Sequence, residues 1–236
     1  MTRLWPALRI GVAVLCLAAL NRQLGLSIGN ALGAGSGPAG DVATVVANHF
    51  SYFTVLSNIG AVVVLGLAGL RTALRRRRGG RGDDPDPAWL ATALVCVSTY
   101  MIITGVVYNL VLRSIPIEGS SDVWTNEVLH VVGPLFLLLD ALVAPGRRAL
   151  PWRAVGIAAV PPILWAVYTM LRANLVVSPM TGDPWWYPYP FLDPHLMPGG
   201  YLGVAGAIVG VAALIIGVAA GVTWAGRRHG VRIAEA

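Results

Sequence analysis

Lysine is absent from this chain, and all 17 of its basic residues are arginine. Charge of either sign is scarce: charged residues make up 12% of the 236 positions. An ordinary soluble domain carries about 25%, so that class is excluded. The net charge of +6 is no nucleic-acid footprint, and no nucleic-acid partner is expected. Cysteine is nearly absent too. Cys16 and Cys96 lie inside apolar runs without metal-ligand or redox spacing, and they read as small packing residues. The histidines are few and scattered. A metal site built from His49, Glu127, His130 and His195 has no helical His pair or HExxH-type spacing behind it. Neither metal nor cofactor is expected.

What is present is apolar length. Hydrophobic residues make up 56% of the chain and fall into six runs, 4–26, 50–74, 89–112, 124–144, 152–171 and 201–225. Each run is about 20 residues or more, enough at ~1.5 Å per residue to cross a ~30 Å hydrocarbon core. A backbone surrounded by lipid must satisfy its own hydrogen bonds, so these runs predict helices. The expected fold is all-α: a polytopic membrane protein whose whole length, 1–236, is one bundle of six transmembrane helices. The first run is short enough at its centre to resemble a signal peptide, but no small-x-small cleavage site follows it, and it reads as a retained span.

The arginines predict orientation. Arg3, Arg9, the cluster Arg71, Arg75, Arg76, Arg77, Arg78 and Arg81, then Arg147, Arg148 and Arg153, and finally Arg227, Arg228 and Arg232 fall on one side. Only Arg22, Arg113 and Arg172 fall on the other. The positive-inside rule then puts both termini in the cytoplasm, in what reads as a bacterial plasma membrane. Among the connections, 27–48 is rich in Gly, Ala and Ser and reads as a flexible outer loop. In 75–87 the Arg run reads as self-paired with Asp83, Asp84 and Asp86. The connection 173–200 sets Trp185, Trp186, Tyr187, Tyr189 and Phe191 among six prolines, which forbid a regular helix. It reads as an interfacial anchor, as a lid over a pocket, or as both. Gly206, Gly210, Gly217 and Gly221 have the small-xxx-small spacing that lets helices pack closely. Nothing in the sequence sets an oligomeric state.

Polar residues inside spans are costly and face the bundle interior, so they are the candidate site. On the fourth run, Asn126, Glu127 and His130 share a helical face, and Glu127 is placed to orient His130. Asp140 lies about 15 Å deeper at ~1.5 Å per residue, where Arg147, Arg148 or Arg153 would pair with it. Ser51, Thr54 and Asn58 share a face of the second run, and Tyr100, Thr104 and Tyr108 form a stripe on the third. Tyr168 and Arg172 are four apart near the outer end of the fifth. Thr54 and His130 sit about 6 and 9 Å into their helices at ~1.5 Å per residue, so the polar groups converge in the outer half. A lone Thr usually bonds its own i−4 carbonyl, whereas an intramembrane His is scarce and favours function.

The segments HFSYFTVLSN (49–58), NEVLHVVGPLFLLLD (126–140) and YPYPFLD (187–193) resemble the androgen-induced gene 1 and androgen-dependent TFPI-regulating protein family, including its bacterial six-helix branch. The resemblance spans nearly the whole chain. It implies an integral-membrane threonine hydrolase that cleaves lipid esters, fatty acid esters of hydroxy fatty acids or similar, with Thr54 as nucleophile and His130 as base. Asn58, Tyr108 and Asn126 become oxyanion candidates. Glu127, Tyr168 and Arg172 become further substrate-binding candidates, with Arg172 or Arg113 placed to meet a lipid carboxylate. The expected partners are the lipid ester substrate and membrane lipids, with the site toward the outer leaflet. A non-enzymatic lipid-binding or transport protein using the same cavity is the alternative, and a structural membrane subunit is a third class.

Overall fold

A computed structural model describes residues 4–80, 84–114 and 122–229. Arg3, Arg81, Asp83 and Arg232 of the charge pattern lie outside the described residues. Six helical segments are long and apolar enough to cross a membrane: Trp5–Gly33, Phe53–Arg77, Ala88–Leu112, Val123–Val143, Arg153–Ala173 and Tyr201–Arg228. Among the described residues the architecture is all-α, as the length of the apolar runs predicts.

In chain order the helices are α1 (Trp5–Gly33), α2 (Val42–His49), α3 (Phe53–Arg77), α4 (Ala88–Val107), α5 (Val123–Glu127), α6 (Gly133–Val143), α7 (Arg153–Ala173) and α8 (Tyr201–His229). Two π-helical turns interrupt the regular pattern. Tyr108–Leu112 extends α4, and Val128–Val132 joins α5 to α6. α4 is the most buried span and packs on α3, α6, α7 and α8, while α1 lies against α3. At that second contact Gly69 is required: a Cβ there would sit 2.8 Å from Ile10 Cγ1 and 2.9 Å from the Pro6 carbonyl.

Several boundaries differ from the sequence reading. α1 runs on to Gly33, and residues 42–49 form α2, capped by Asp41, so 27–48 is not simply a loop. The second span opens at Phe53 instead of Phe50. Ser51 turns its hydroxyl back to the Ala47 carbonyl, Tyr52 adopts extended backbone, and Trp165 Nε1 donates to the Ser51 carbonyl at 2.9 Å. The chain therefore corners at 50–52. Gly206, Gly210, Gly217 and Gly221 have open space where a Cβ would be, so they mark no close contact within the bundle.

One end of the bundle carries the arginine-rich connections and the other the aromatic connection 174–200; these are the arginine end and the loop end below. At the arginine end, Arg9 is buried in the bundle at 2% exposure instead of flanking the helix as a surface charge. It donates to Asp140 at 2.7 and 3.1 Å. Asp140, 0% exposed, also accepts from Trp5 Nε1 at 2.7 Å and from Arg147 at 3.3 Å. Arg147 is one of the partners expected; Arg9 and Trp5 are additions from the far end of the sequence. Asp84 pairs with Arg75 at 3.1 Å, but Asp86 is buried and feels Arg9 and Arg147 more than Arg71 of the arginine cluster.

Candidate functional site

Proline shapes the local geometry around His130. Pro134 has no N–H for the carbonyl four residues back, which is that of His130. Asn109 Nδ2 fills the vacancy, donating to the His130 carbonyl at 3.2 Å. The helix widens here into the π turn 128–132, a distortion that recurs at functional positions. Gly105 lets α4 approach, since a Cβ there would lie 2.8 Å from Pro134 Cβ and 3.3 Å from the His130 carbonyl oxygen. The two π turns face one another, and the rings of Tyr108 and His130 stack with centroids 3.9 Å apart. Pro162 acts similarly on α7: it frees the Ala158 carbonyl, which accepts from the Tyr100 hydroxyl at 2.9 Å.

His130 Nδ1 lies 3.0 Å from the main-chain carbonyl of Asn126. A carbonyl only accepts, so Nδ1 carries the proton and Nε2 keeps its lone pair. Glu127 does not orient this ring. It pairs with Arg113, which also donates to Asn109 Oδ1. The π turn breaks the simple three-residue spacing that would have set Glu127 beside His130.

Thr54 is the second residue of α3, where peptide N–H groups have no partner in the helix. Its N–H donates to the Tyr189 hydroxyl at 3.2 Å, and its Oγ1 lies 3.2 Å from the same hydroxyl. Its carbonyl accepts from Ser57 Oγ at 3.0 Å and Asn58 Nδ2 at 2.9 Å. Burial pushes the Tyr189 hydroxyl above its usual range, against the pull of its bonds to Thr54, so it keeps its proton. Tyr52 packs edge-on to Trp186 and Tyr189, centroids 5.6 and 5.7 Å away. The aromatic connection thus folds over the start of α3, in the manner of a lid.

Two spaces meet at these residues. A cavity of about 520 Å³ at the loop end is walled by α1, α2, the two π turns and the connection 179–190. An apolar slot of about 100 Å³ lies among α3, α4, α7 and α8, and is bordered by the half-exposed Ile163 and Ile216. Thr54, Tyr108, Leu112 and Tyr189 border both, whereas His130 and Asn126 border the larger cavity alone. α7 lines the slot and not the larger cavity. Among the described residues no hydrogen bond joins Thr54 to His130; they face the same cavity, with Thr54 Oγ1 held by Tyr189.

Other sequence candidates have structural duties. Asn58, fully buried, donates to the carbonyls of Thr54 and Leu129 and lines neither space. Tyr168 pairs its hydroxyl with Ser51 Oγ at 3.0 Å, and Arg172 donates to Asn48 Oδ1 at 2.7 Å while lying over the Trp186 ring. Both brace the corner between α2 and α3. Sequence reading missed Gln23, Ser27 and Asn48 on the cavity wall, as well as Tyr189 as the partner of Thr54. Gln23, Ser27 and Asn30 recur at helical spacing, the signal that α1 continues past Leu26 with a polar face. Among the described residues no three His, Cys, Asp or Glu side chains gather as a metal would require.

Fold and site together define an all-helical architecture with six helices long and apolar enough to cross a membrane, a cavity with a polar side and an adjoining apolar slot. No family model matches the chain, and neither a curated protein nor a solved structure matches it.

Proposed function

We propose that the protein is a membrane lipid-ester hydrolase with Thr54 as nucleophile and His130 as base, akin to the androgen-induced gene 1 family that segments 49–58 and 126–140 resemble. The observation that carries this reading is the shared cavity: a threonine at a helix start and a histidine with a free Nε2 border one space, beside a slot suited to an acyl chain. His130 Nε2 takes the Thr54 hydroxyl proton as Oγ1 bonds to the ester carbonyl carbon. The tetrahedral intermediate collapses, the bond to the leaving alkoxide breaks, and His130 returns the proton to it. Water then attacks the acyl-threonine, giving its proton to His130, and Thr54 leaves reprotonated. The oxyanion finds donors in the Thr54 peptide N–H and the Tyr189 hydroxyl, which are already together at the start of α3. Tyr189 must release Oγ1 for attack.

The positive-inside rule supports a cytoplasmic arginine end and hence a site toward the outer leaflet. On intact bacteria, an impermeant maleimide should label Ser36→Cys and not Asp84→Cys; the reverse pattern rejects that orientation. The chemistry is tested by hydrolysis of a fluorogenic long-chain ester by purified protein in detergent, alongside fluorophosphonate labelling. Wild type should turn over and label, and Thr54→Val should do neither. A second reading is favoured by the Tyr189–Thr54 bond, which occupies the nucleophile: a lipid-binding protein with a polar cavity. Full ester turnover by folded Thr54→Val would reject the threonine mechanism, and no turnover by folded wild type that still binds lipid would leave the second reading in its place.

A further inference from the structure

The larger cavity has a polar side within a mostly apolar wall, and no fixed charge lies among its described bordering residues. Among the described residues that border it, the polar ones include Gln23, Ser27, Asn48, His49, Asn126 and His130, and none is Arg, Asp or Glu. Burial also lowers the pKa of His49, which keeps its ring neutral near pH 7. None of the three arginines at this end borders the cavity itself. Arg22 pairs with Asp122, Arg113 pairs with Glu127, and Arg172 sits behind Asn48 against Trp186. An anion brought into such a cavity would lose its hydration and meet no cation in the described wall, Arg172 standing one side chain behind it. The sequence expectation that Arg113 or Arg172 receives a lipid carboxylate therefore has no counterpart in the wall of this cavity.

The unmet hydrogen-bonding capacity points the same way. Gln23 Oε1 and Asn126 Oδ1 are buried acceptors without partners, and Asn48 Nδ2 is a buried donor without one. A carboxylate only accepts, so it leaves the two amide oxygens unpaired. A hydroxyl donates one bond and accepts others, so two hydroxyls answer all three atoms once these side chains turn toward the cavity that their residues border. Beyond Thr54 the space changes character: the slot is walled by residues such as Ile103, Pro162, Ile163 and Ile208, and Thr104 and the tyrosines are its few polar members.

We propose that the substrate is an uncharged ester with a hydroxyl-bearing headgroup of the acylglycerol kind, its head in the larger cavity, its acyl chain in the slot, and its carbonyl at Thr54. This rests on the hydrolase reading for the position of the bond cleaved, and on the cavity wall alone for the headgroup.

The test uses three esters with the same acyl chain: a monoacylglycerol, an ester of a hydroxy fatty acid bearing its free carboxylate, and the methyl ester of that acid. Purified full-length protein in nonionic detergent should hydrolyse the monoacylglycerol fastest and the methyl-capped compound next. The free acid should be at least ten-fold slower in kcat/KM than the monoacylglycerol. Binding of the matching non-cleavable ethers to Thr54→Val, followed by tryptophan fluorescence, should show the same order. Asn126→Leu should raise KM for the monoacylglycerol more than for the methyl-capped ester. Equal or better cleavage or binding of the free acid overturns the proposal, most sharply if Arg172→Gln abolishes that preference. Failure of all three ethers to bind overturns it as well. Ethers that bind in the expected order while no ester is cleaved sink the hydrolase reading and leave the headgroup assignment standing.

Discussion

The two ends of the bundle handle buried polarity in opposite ways. At the arginine end, Asp140, Arg9, Arg147 and Trp5 are locked in direct bonds, and the neighbouring cavity is only about 10 Å³. At the loop end, neutral amides, hydroxyls and imidazoles surround about 520 Å³. By sequence, Asp140 and His130 look alike, each a costly group on the same span. Their surroundings separate them. A polar group whose bonds are made by its own protein holds helices together, whereas one bordering space is left with bonding capacity for something else. The substitutions that follow break or sharpen this contrast.

The largest effect is expected at His130 and Thr54. His130→Ala should lower ester turnover by ~10²–10⁴-fold, and Thr54→Val should remove it, both in protein that still unfolds cooperatively. The double variant should lose little beyond the worse single one, because residues acting as one unit are non-additive. Purified-enzyme kinetics with parallel melts decide this; additive losses would separate the two residues. Tyr189→Phe comes next. It keeps the ring packing against Tyr52 and removes one oxyanion donor, so kcat should fall about 10²-fold with KM little changed.

At the other end the sign of the result reverses. Asp140→Ala strands Arg9 and Arg147, and breaking a buried pair costs about 3–5 kcal/mol. Melting temperature and yield should collapse while the folded fraction keeps its kcat. Loss of kcat in well-folded Asp140→Ala would couple the ends and undo the contrast. Glycine gives a finer version. Gly105→Ala meets Pro134 at 2.8 Å and should cost about 1–3 kcal/mol by overpacking, and by displacing His130 should also reduce turnover. Gly210→Ala meets nothing within 4 Å and should change neither.

Six helices were legible in the sequence because apolar length is a strong signal, and His130 stood out as a scarce intramembrane group, whereas Thr54, at matched depth, was singled out only by the family resemblance. What escaped was decided by single local bonds. Ser51 turning onto Ala47 moved the start of the second span to Phe53, which changed Thr54 from a mid-face residue to a helix-start residue. Pro134 widened the helix at His130, which put Glu127 with Arg113 and left the ring to Asn126. Asn58, Tyr168 and Arg172 had the right depth, but depth along a helix does not say which way a side chain finds its partner. Tyr189 was visible only as one ring in an aromatic, proline-rich connection, because its bond to Thr54 spans 135 residues.

The smallest expected effect tests the rim of the polar end. Asp122 accepts from the Thr125 N–H at the start of α5 and pairs with Arg22, and these bonds bring its carboxyl from an ordinary 3.8 down to about 2. A carboxyl with a depressed pKa stabilises the fold above its unfolded value and loses that contribution as pH falls through the folded one. The melting-temperature gap between wild type and Asp122→Ala should therefore stay constant from pH 7 to about 5, shrink below 3.8, and vanish near 2. Asp122→Asn keeps a capping oxygen without the charge, so it should recover part of the gap at pH 7 and show no such pH slope. Turnover at pH 7 should be unchanged in both variants, since Asp122 borders neither the cavity nor the slot. A gap that persists at pH 2 would mean that Asp122 acts through packing, and the rim charge would then have no part in stabilising the start of α5.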